Sequence, residues 1–465
     1  MSDFFMSKYN TLELDTALRI GTSFDLIKRK IRVADRVAYL YYIDEFSKDE
    51  LLEKIEQYFY DIAPDELSDN SIEFADNYIP YLEVETSTDT TKIATDILSG
   101  VLCLLIEGFD EPILIDSRTY PARGITEPEK DKSLRGSRDG FVETLVFNVG
   151  LIRRRIRDSS LTIETKKLGT SSKTDIAVCY MDSRVDKKLL KQVFDAINNC
   201  KIDALSMNSQ SFVSAVFKEK WYHIFPRYKF TERPDSVAAS ILEGKICILV
   251  DNSPAAILLP ITLFDLTEEA NDFYFPRFTG TYLRLSRYII SVLSVILTPV
   301  YLLTVLNPSV VPDALNFIAI KEEINVPVFY QLLILEVAVD GMKLAAVNTP
   351  TMLSTPLSVI AALIIGDFSV QTGWFNAESM FYMATVTISN FTHQSYELGY
   401  AIKFMRIFLL FMVAFFKGFG FLFGIVLIAL YLLFYKTIDG RAYLYPIVSL
   451  NIKEFIRRVT MSNKR

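Results

Sequence analysis

From Tyr288 to Leu306 the chain reads YIISVLSVILTPVYLLTVL, with no charged side chain. A helix of that length spans about 30 Å of hydrocarbon, and helices are one of only two backbone forms that satisfy their own polar groups in lipid. The run therefore predicts a membrane crossing, bent at Pro299. Around it the 465 residues divide in two. Up to Arg287 charges are frequent and apolar runs short, as in a soluble region, whereas from Tyr288 to Tyr435 long apolar segments dominate. The expected architecture is an α/β (α+β) soluble N-terminal region followed by an all-α polytopic membrane domain. Arg277, Arg284 and Arg287 precede the crossing and no basic residue follows it before Lys321, so the positive-inside bias sets the soluble region in the cytoplasm.

Further candidate crossings are Val326 to Val347, Leu357 to Trp374, Ser379 to Phe391 and Phe404 to Tyr435. The last is too long for one straight span at about 1.5 Å per residue, and Lys417, Gly418 and Gly420 interrupt it. The tail KTIDGRAYLYPIVSLNIKEFIRRVTMSNKR is basic and resembles an amphipathic surface segment, which keeps the C-terminus in the cytoplasm and the number of crossings even. Four crossings with shorter or interfacial helices are expected, with six as the alternative.

In VPVFYQLLILEVAVDGMKLAAV (Val326 to Val347), Glu336, Asp340 and Lys343 fall at i, i+4 and i+7 on one face of an otherwise apolar helix. Two readings of that face are open. Ionisable groups in lipid are costly and face a bundle interior or water, which makes the face a candidate ion pathway, with Asp367 a further candidate. Alternatively, Asp340 and Lys343 pair on an interfacial helix outside the hydrocarbon. Asp367, Glu378, Glu397, Lys403 and Arg406 lie near the ends of apolar runs, where most would serve as headgroup-level anchors; carboxylates from several subunits could also form a cation-selecting ring.

The soluble half repeats itself. IATDILSGVLCLLIEGFDEPILI (Ile93 to Ile115) lies over VAASILEGKICILVDNSPAAILL (Val237 to Leu259) without a gap, matching Gly100 to Gly244, Cys103 to Cys247 and Glu107 to Asp251. Each copy reads as a short helix ending at a left-handed C-cap glycine, then a hairpin of two apolar strands. Upstream, VAYLYYIDEFSKDELLEKI (Val37 to Ile55) matches TDIAVCYMDSRVDKKLLKQV (Thr174 to Val193), Tyr42 with Tyr180 and Asp44 with Asp182. Two related lobes of about a hundred residues follow. The expected divisions are 1–130 for lobe 1, 131–158 for an Arg-rich linker and connecting helix, 159–275 for lobe 2, 276–438 for the membrane domain and 439–465 for the tail.

Composition excludes several function classes. Lys and Arg number 49 against 56 Asp and Glu, a net charge of −7, so nucleic-acid binding lacks its electrostatic basis. The four cysteines are widely spaced without a CxxC pair, and only His223 and His393 could assist as imidazole ligands, so no metal or other cofactor is expected. The start, MSDFFMSKYNTLELD, lacks the features of a secretory signal. No nucleophile, base and orienting group stand out together, and enzymatic activity is not expected.

Between the two copies stands LRGSRDGFVETLVFNVGLIRRRIRD (Leu134 to Asp158). Asp139 is placed to cap a helix on which Phe141, Leu145, Val149, Ile152 and Ile156 lie in one apolar stripe. Arg153, Arg154, Arg155 and Arg157 fall in its last turns, where cations offset the helix dipole and can pair with acids of neighbouring lobes or subunits. Phosphate or lipid-headgroup binding is the other reading. With the linker before it, SRTYPARGITEPEKDKSLRGSRDG, this helix resembles the signature of the A subunits of GerA-type spore germination receptors. Glu127 and Pro128, Arg135 and Gly136, Gly140 to Glu143, Asn148, and Leu151 to Ile156 stand where that family has Glu-Pro, Arg-Gly-Pro, Gly-Phe-x-Glu, Asn and Leu-Ile-Arg-Arg-Arg-Ile. The resemblance covers nearly the whole chain. Ser137 replaces the common proline and VDGMKLAAVNTP replaces an Arg-Glu-Ala-Gly type sequence, departures that look more like the stage V sporulation AF branch.

The resemblance implies a cytoplasmic two-lobed region on a membrane domain that assembles as a homo-oligomeric ring, a pentamer, in the inner membrane of the bacterial spore. It implies an ion channel that amplifies ion release in germination, alongside other germination or dipicolinate-release membrane proteins in the same lipid bilayer. The alternatives are an A subunit of a nutrient germinant receptor and a non-conducting membrane scaffold. On this reading the arginine helix joins lobes and subunits through ion pairs with acids such as Glu127, Glu129 or Asp131.

Overall fold

The sequence repeat is a repeat of strand order. The computed structural model describes residues 11–47, 49–60, 62–64, 67, 69–79, 83–120, 136–308, 311–312, 320, 324–349, 366–449 and 451–460. It divides into one unit of Met1–Lys220 and Tyr228–Pro260 and a second of Trp221–Arg227 and Ile261–Arg465. In the first unit β1 (Leu26–Val33), β2 (Arg36–Ile43), β3 (Val84–Thr86), β4 (Leu102–Ile106) and β5 (Ile113–Ile115) form an antiparallel sheet in the order β1-β2-β4-β5-β3. β6 (Leu161–Leu168), β7 (Thr174–Met181), β8 (Lys229–Thr231), β9 (Ile246–Val250) and β10 (Ala256–Leu259) form the other in the order β6-β7-β9-β10-β8. The helices repeat as well. α1 (Thr11–Leu18), α2 (Asp49–Tyr60), α3 (Ser71–Tyr78) and α4 (Thr90–Leu98) are followed in the same order by α5 (Leu145–Arg153), α6 (Lys187–Asn198), α7 (Asn208–Phe217) and α8 (Pro234–Leu242). The Arg-rich helix α5 is thus the first helix of the second copy, packing on α8 as α1 packs on α4.

β4, β5, β9 and β10 are buried along their whole length. Helices on both sheet faces are the reason. In lobe 1, Leu52, Phe59 and Phe74 of α2 and α3 cover Leu40, Leu102 and Leu104, while Leu14, Ile93 and Ile97 of α1 and α4 cover Tyr41, Cys103 and Leu114. Alternate residues of one strand therefore feed two cores, and the strand reads as a continuous apolar run. The outer strands β1 (LIKRKIRV) and β6 (LTIETKKL) place lysine and arginine along the sheet edge, which discourages pairing with other chains.

α4 and α8 end alike. The Gly100 N–H bonds Ile97 O and the Val101 N–H bonds Asp96 O, and Gly244 and Lys245 repeat this with Ile241 and Ser240. At φ of +100° and +91°, both glycines hold the left-handed conformation of this turn, and a Cβ would stand 2.9 Å from Phe46 Cδ2 or 2.7 Å from Arg184 O. A side chain at either position would force the neighbouring loop away.

The second unit is helical: α9 (Leu263–Thr267), α10 (Ala270–Tyr274), α11 (Arg277–Leu306), α12 (Val328–Asn348), α13 (Ala377–Asn390), α14 (Tyr396–Phe434) and α15 (Ile452–Val459). α11 and α14 are long and apolar enough to cross a membrane, each holding an 18-residue stretch whose mean hydropathy is 2.4 in α11 and 2.3 in α14. Leu302 of α11, Leu332 and Leu335 of α12, Met383 of α13 and Leu410 of α14 share one core. The first half of the candidate crossing Leu357 to Trp374, residues 357–365, lies outside the described residues.

α14 is not one rod. Lys417 breaks it at φ 49° and ψ −132°. Beyond the break Gly420 lies against the Met412 carbonyl, and a Cβ on Gly424 would come within 2.6 Å of Leu409 Cδ1. Contacts between residues so far apart in sequence require the chain to turn back on itself, giving two antiparallel legs of roughly 31 and 26 Å at about 1.5 Å per residue.

Candidate functional site

The acidic face of α12 is filled by bases of α14. Glu336, 2% exposed, accepts from Arg406, 1% exposed, at 2.5 Å (Nε to Oε1) and 3.0 Å (Nη2 to Oε2). Lys403 Nζ lies 3.4 Å from Glu336 Oε2, donates to Glu336 O at 3.0 Å and pairs with Asp340. Arg406 Nη1 also donates to Ser294 O of α11 at 3.1 Å. The acids stand at i and i+4 and the bases at i and i+3, so each pair projects from one face of its helix and the two faces meet. The guanidinium fork suits the two oxygens of Glu336, and the cluster of two acids and two bases is neutral. Asp340 Oδ1 is buried without a hydrogen-bond partner.

This arrangement corrects two expectations. Asp340 pairs with Lys403 rather than Lys343, whose ammonium lies 5.1 and 5.7 Å from the ring centroids of Phe391 and Tyr400. Lys403 and Arg406, expected among headgroup anchors, are buried ligands of the α12 acids. Their signal was present: two bases one turn apart in an apolar run complement two acids one turn apart in another. Asp367 is exposed, and among the described residues no contact joins it to the cluster.

The arginine motif forms a second constellation. α5 begins at Leu145, later than the apolar stripe from Phe141 predicts, and Asp139 does not cap it. The segment before α5 is instead held extended on lobe 2. Asn148, fully buried, accepts from Val142 N at 2.8 Å and donates to Val142 O at 2.6 Å. Glu143 O accepts from Asn252 N at 2.8 Å, Phe141 N donates to Glu232 O at 2.9 Å, and Asp251 Oδ1 takes the first N–H of α5, from Leu145, at 3.1 Å. Gly140 is buried within this belt and Gly136, at φ +106°, turns the chain toward it. Asp139 receives Arg155 at 2.7 and 2.6 Å. Burial alone would raise the Asp139 carboxyl, but the Arg155 and Ser137 hydrogen bonds hold it below its usual value.

Arg153 is the joint between the lobes. Its guanidinium, 1% exposed, bonds Asp25 at 2.7 and 3.1 Å, Ser23 Oγ at 3.2 Å, Asp158 O at 3.2 Å and Leu161 O at 3.1 Å. Asp25 leads into β1 and Leu161 opens β6, and Phe24 N bonds Ile163 O at 3.1 Å between them. Beside this pair both oxygens of Glu45 are buried without a hydrogen bond; burial pushes that carboxyl well above its usual range and Asp25 adds to the shift. Arg154 covers the Tyr120 ring at 4.7 Å and Arg157 donates to the Tyr120 hydroxyl at 3.3 Å. Arg154, Arg155 and Arg157 line an open cavity of about 630 Å³ with Asp139, Gly140 and Phe147. Glu127, Pro128 and Arg135, with Glu129 and Asp131, lie outside the described residues.

Residues 14–465 match the profile of the family described as Bacillus/Clostridium GerA spore germination protein. The chain belongs to the GerA spore germination family. Stage V sporulation protein AF of Bacillus subtilis (strain 168) is 33% identical over 439 residues, 93% of this chain and 88% of that protein. Spore germination protein KA of the same strain is 26% identical over 458 residues, 96% and 83% of the two chains. The solved N-terminal domain of the A subunit of the Bacillus megaterium spore germinant receptor GerK3 is 20% identical with a TM-score of 0.42, over 56% of this chain and 98% of that one. This GerA-family chain therefore has its role in spore germination, and in it the signature residues from Gly140 to Arg155 build the framework of the second lobe and its joint to the first.

Proposed function

We propose that this GerA-family protein is a multi-pass protein of the spore inner membrane that conducts ions as a homo-oligomer and so amplifies germination, beside other germination membrane proteins. The observation that carries the reading is the burial of Glu336, Lys403 and Arg406, with the half-buried Asp340 paired to Lys403, between helices of otherwise apolar composition. Ionisable groups kept in such surroundings mark ion or proton paths. With the acids neutralised by bases of the neighbouring helix, the cluster suits a closed state. Opening moves Lys403 and Arg406 off Glu336 and Asp340 and leaves carboxylates to receive cations along the subunit interfaces. Asp340, its side chain 29% exposed, is the most accessible of the four to an ion.

The test is to reconstitute the purified full-length chain in planar bilayers, count its subunits by cross-linking and record single-channel currents. Rings that carry cation current support the reading, and monomers without current overturn it. The charge balance of the cluster favours one other reading, a non-conducting scaffold, which predicts rings with no current.

A further inference from the structure

We propose that the loop Trp221–Arg227 is an aromatic anchor that seats Trp221 in the headgroup region of the bilayer, where the second leg of α14 ends. The inference rests on α14 lying in the membrane. The loop interrupts the lobe 2 sequence between α7 and β8, yet it belongs to the helical unit. Three tyrosines hold its backbone there. The Tyr431 hydroxyl accepts from Ile224 N at 3.2 Å and donates to Tyr222 O at 2.7 Å; the Tyr435 hydroxyl donates to Phe225 O at 2.5 Å and that of Tyr443 to Pro226 O at 2.8 Å.

This clamp fixes the loop within a turn of the end of α14 at Phe434. The chain changes character at the same level. Phe434 is 78% exposed and apolar, and Lys436, two positions on, is exposed and basic. A switch from apolar to basic surface over two residues is the pattern of a helix leaving hydrocarbon for headgroups. Trp221 projects from the clamped loop with 94% of its surface exposed, beside Tyr222 at 6.0 Å between ring centroids. So large an aromatic surface, next in the chain to the clamped backbone and therefore kept near that depth, fits the boundary that indole prefers, with its ring against acyl chains and its N–H toward water. Charge, depth and ring type agree on lipid as the occupant.

The chain has two tryptophans, so a Trp374→Phe substitution leaves Trp221 as the reporter. The full-length variant is reconstituted in vesicles of phosphatidylcholine and phosphatidylglycerol, with lipids brominated either near the headgroup or near the bilayer centre. The proposal predicts blue-shifted emission, several-fold stronger quenching by the shallow label than by the deep one, and weak quenching by aqueous acrylamide. Strong acrylamide quenching with no lipid quenching overturns it. Shielding from both reagents also overturns it and assigns the ring to a protein contact. An alkaline wash of the same vesicles separates the two claims: a chain that is washed off refutes the membrane reading as well, whereas a chain that stays with Trp221 in water refutes the anchor alone.

Discussion

Arg153 shows how much one side chain can decide. Replacing it by methionine keeps the apolar stem but leaves Asp25 buried and uncompensated, a change that costs about 3–5 kcal/mol in comparable pairs. The expected readout in the full chain is faster amide hydrogen exchange at Phe24, which bonds Ile163 O across the lobes; unchanged exchange there would remove Arg153 from the joint. Glu45 carries a pH dependence of known sign. Its carboxyl is raised in the folded state, so the unfolded chain releases this proton first and folding loses stability as pH climbs from the ordinary carboxylate range through the raised value. Thermal unfolding of Glu45→Gln should therefore show a flatter decline with rising pH than the wild type. The residues near Arg153 point to an arginine pairing with an acid of a neighbouring lobe, but not to which acid. Sequence reasoning finds a cation at a helix end, but Asp25 lies 128 positions earlier and no local pattern links the two.

Among the elements, the reversal in α14 follows from a conflict visible in the sequence. A 39-residue apolar helix exceeds what a bilayer covers, and Lys417 with its flanking glycines is the place where it can fold. Spin labels at Phe404 and Leu430 test it. Antiparallel legs place these positions near the helix-packing distance of about 10 Å, whereas a straight helix would separate them by about 39 Å. Gly424→Leu should drive the legs apart by crowding Leu409 and Met412, at a cost of roughly 1–3 kcal/mol, and so lengthen that distance. Other elements were hidden for physical reasons. β3 and β8 have three residues each, too few to show alternation, and β1 and β6 carry their apolar residues under a layer of edge charge. The start of α5 was misplaced because Phe141 and Val142 keep helical spacing with Leu145 while an asparagine side chain holds them extended.

At the scale of the whole molecule, duplication was the most legible property, since a gap-free match preserves glycine caps, apolar strands and acidic turns together. The charge cluster was half legible. The acids of α12 announce themselves inside an apolar run, but a stripe on one helix does not reveal that another helix answers it. Conduction is the central claim, and potassium efflux from vesicles containing the full chain tests it most directly, comparing the wild type with Asp340→Asn after both are shown to form the same oligomer. The account predicts efflux from the wild type and a several-fold loss in the variant; no efflux from either, or equal efflux from both, would contradict it.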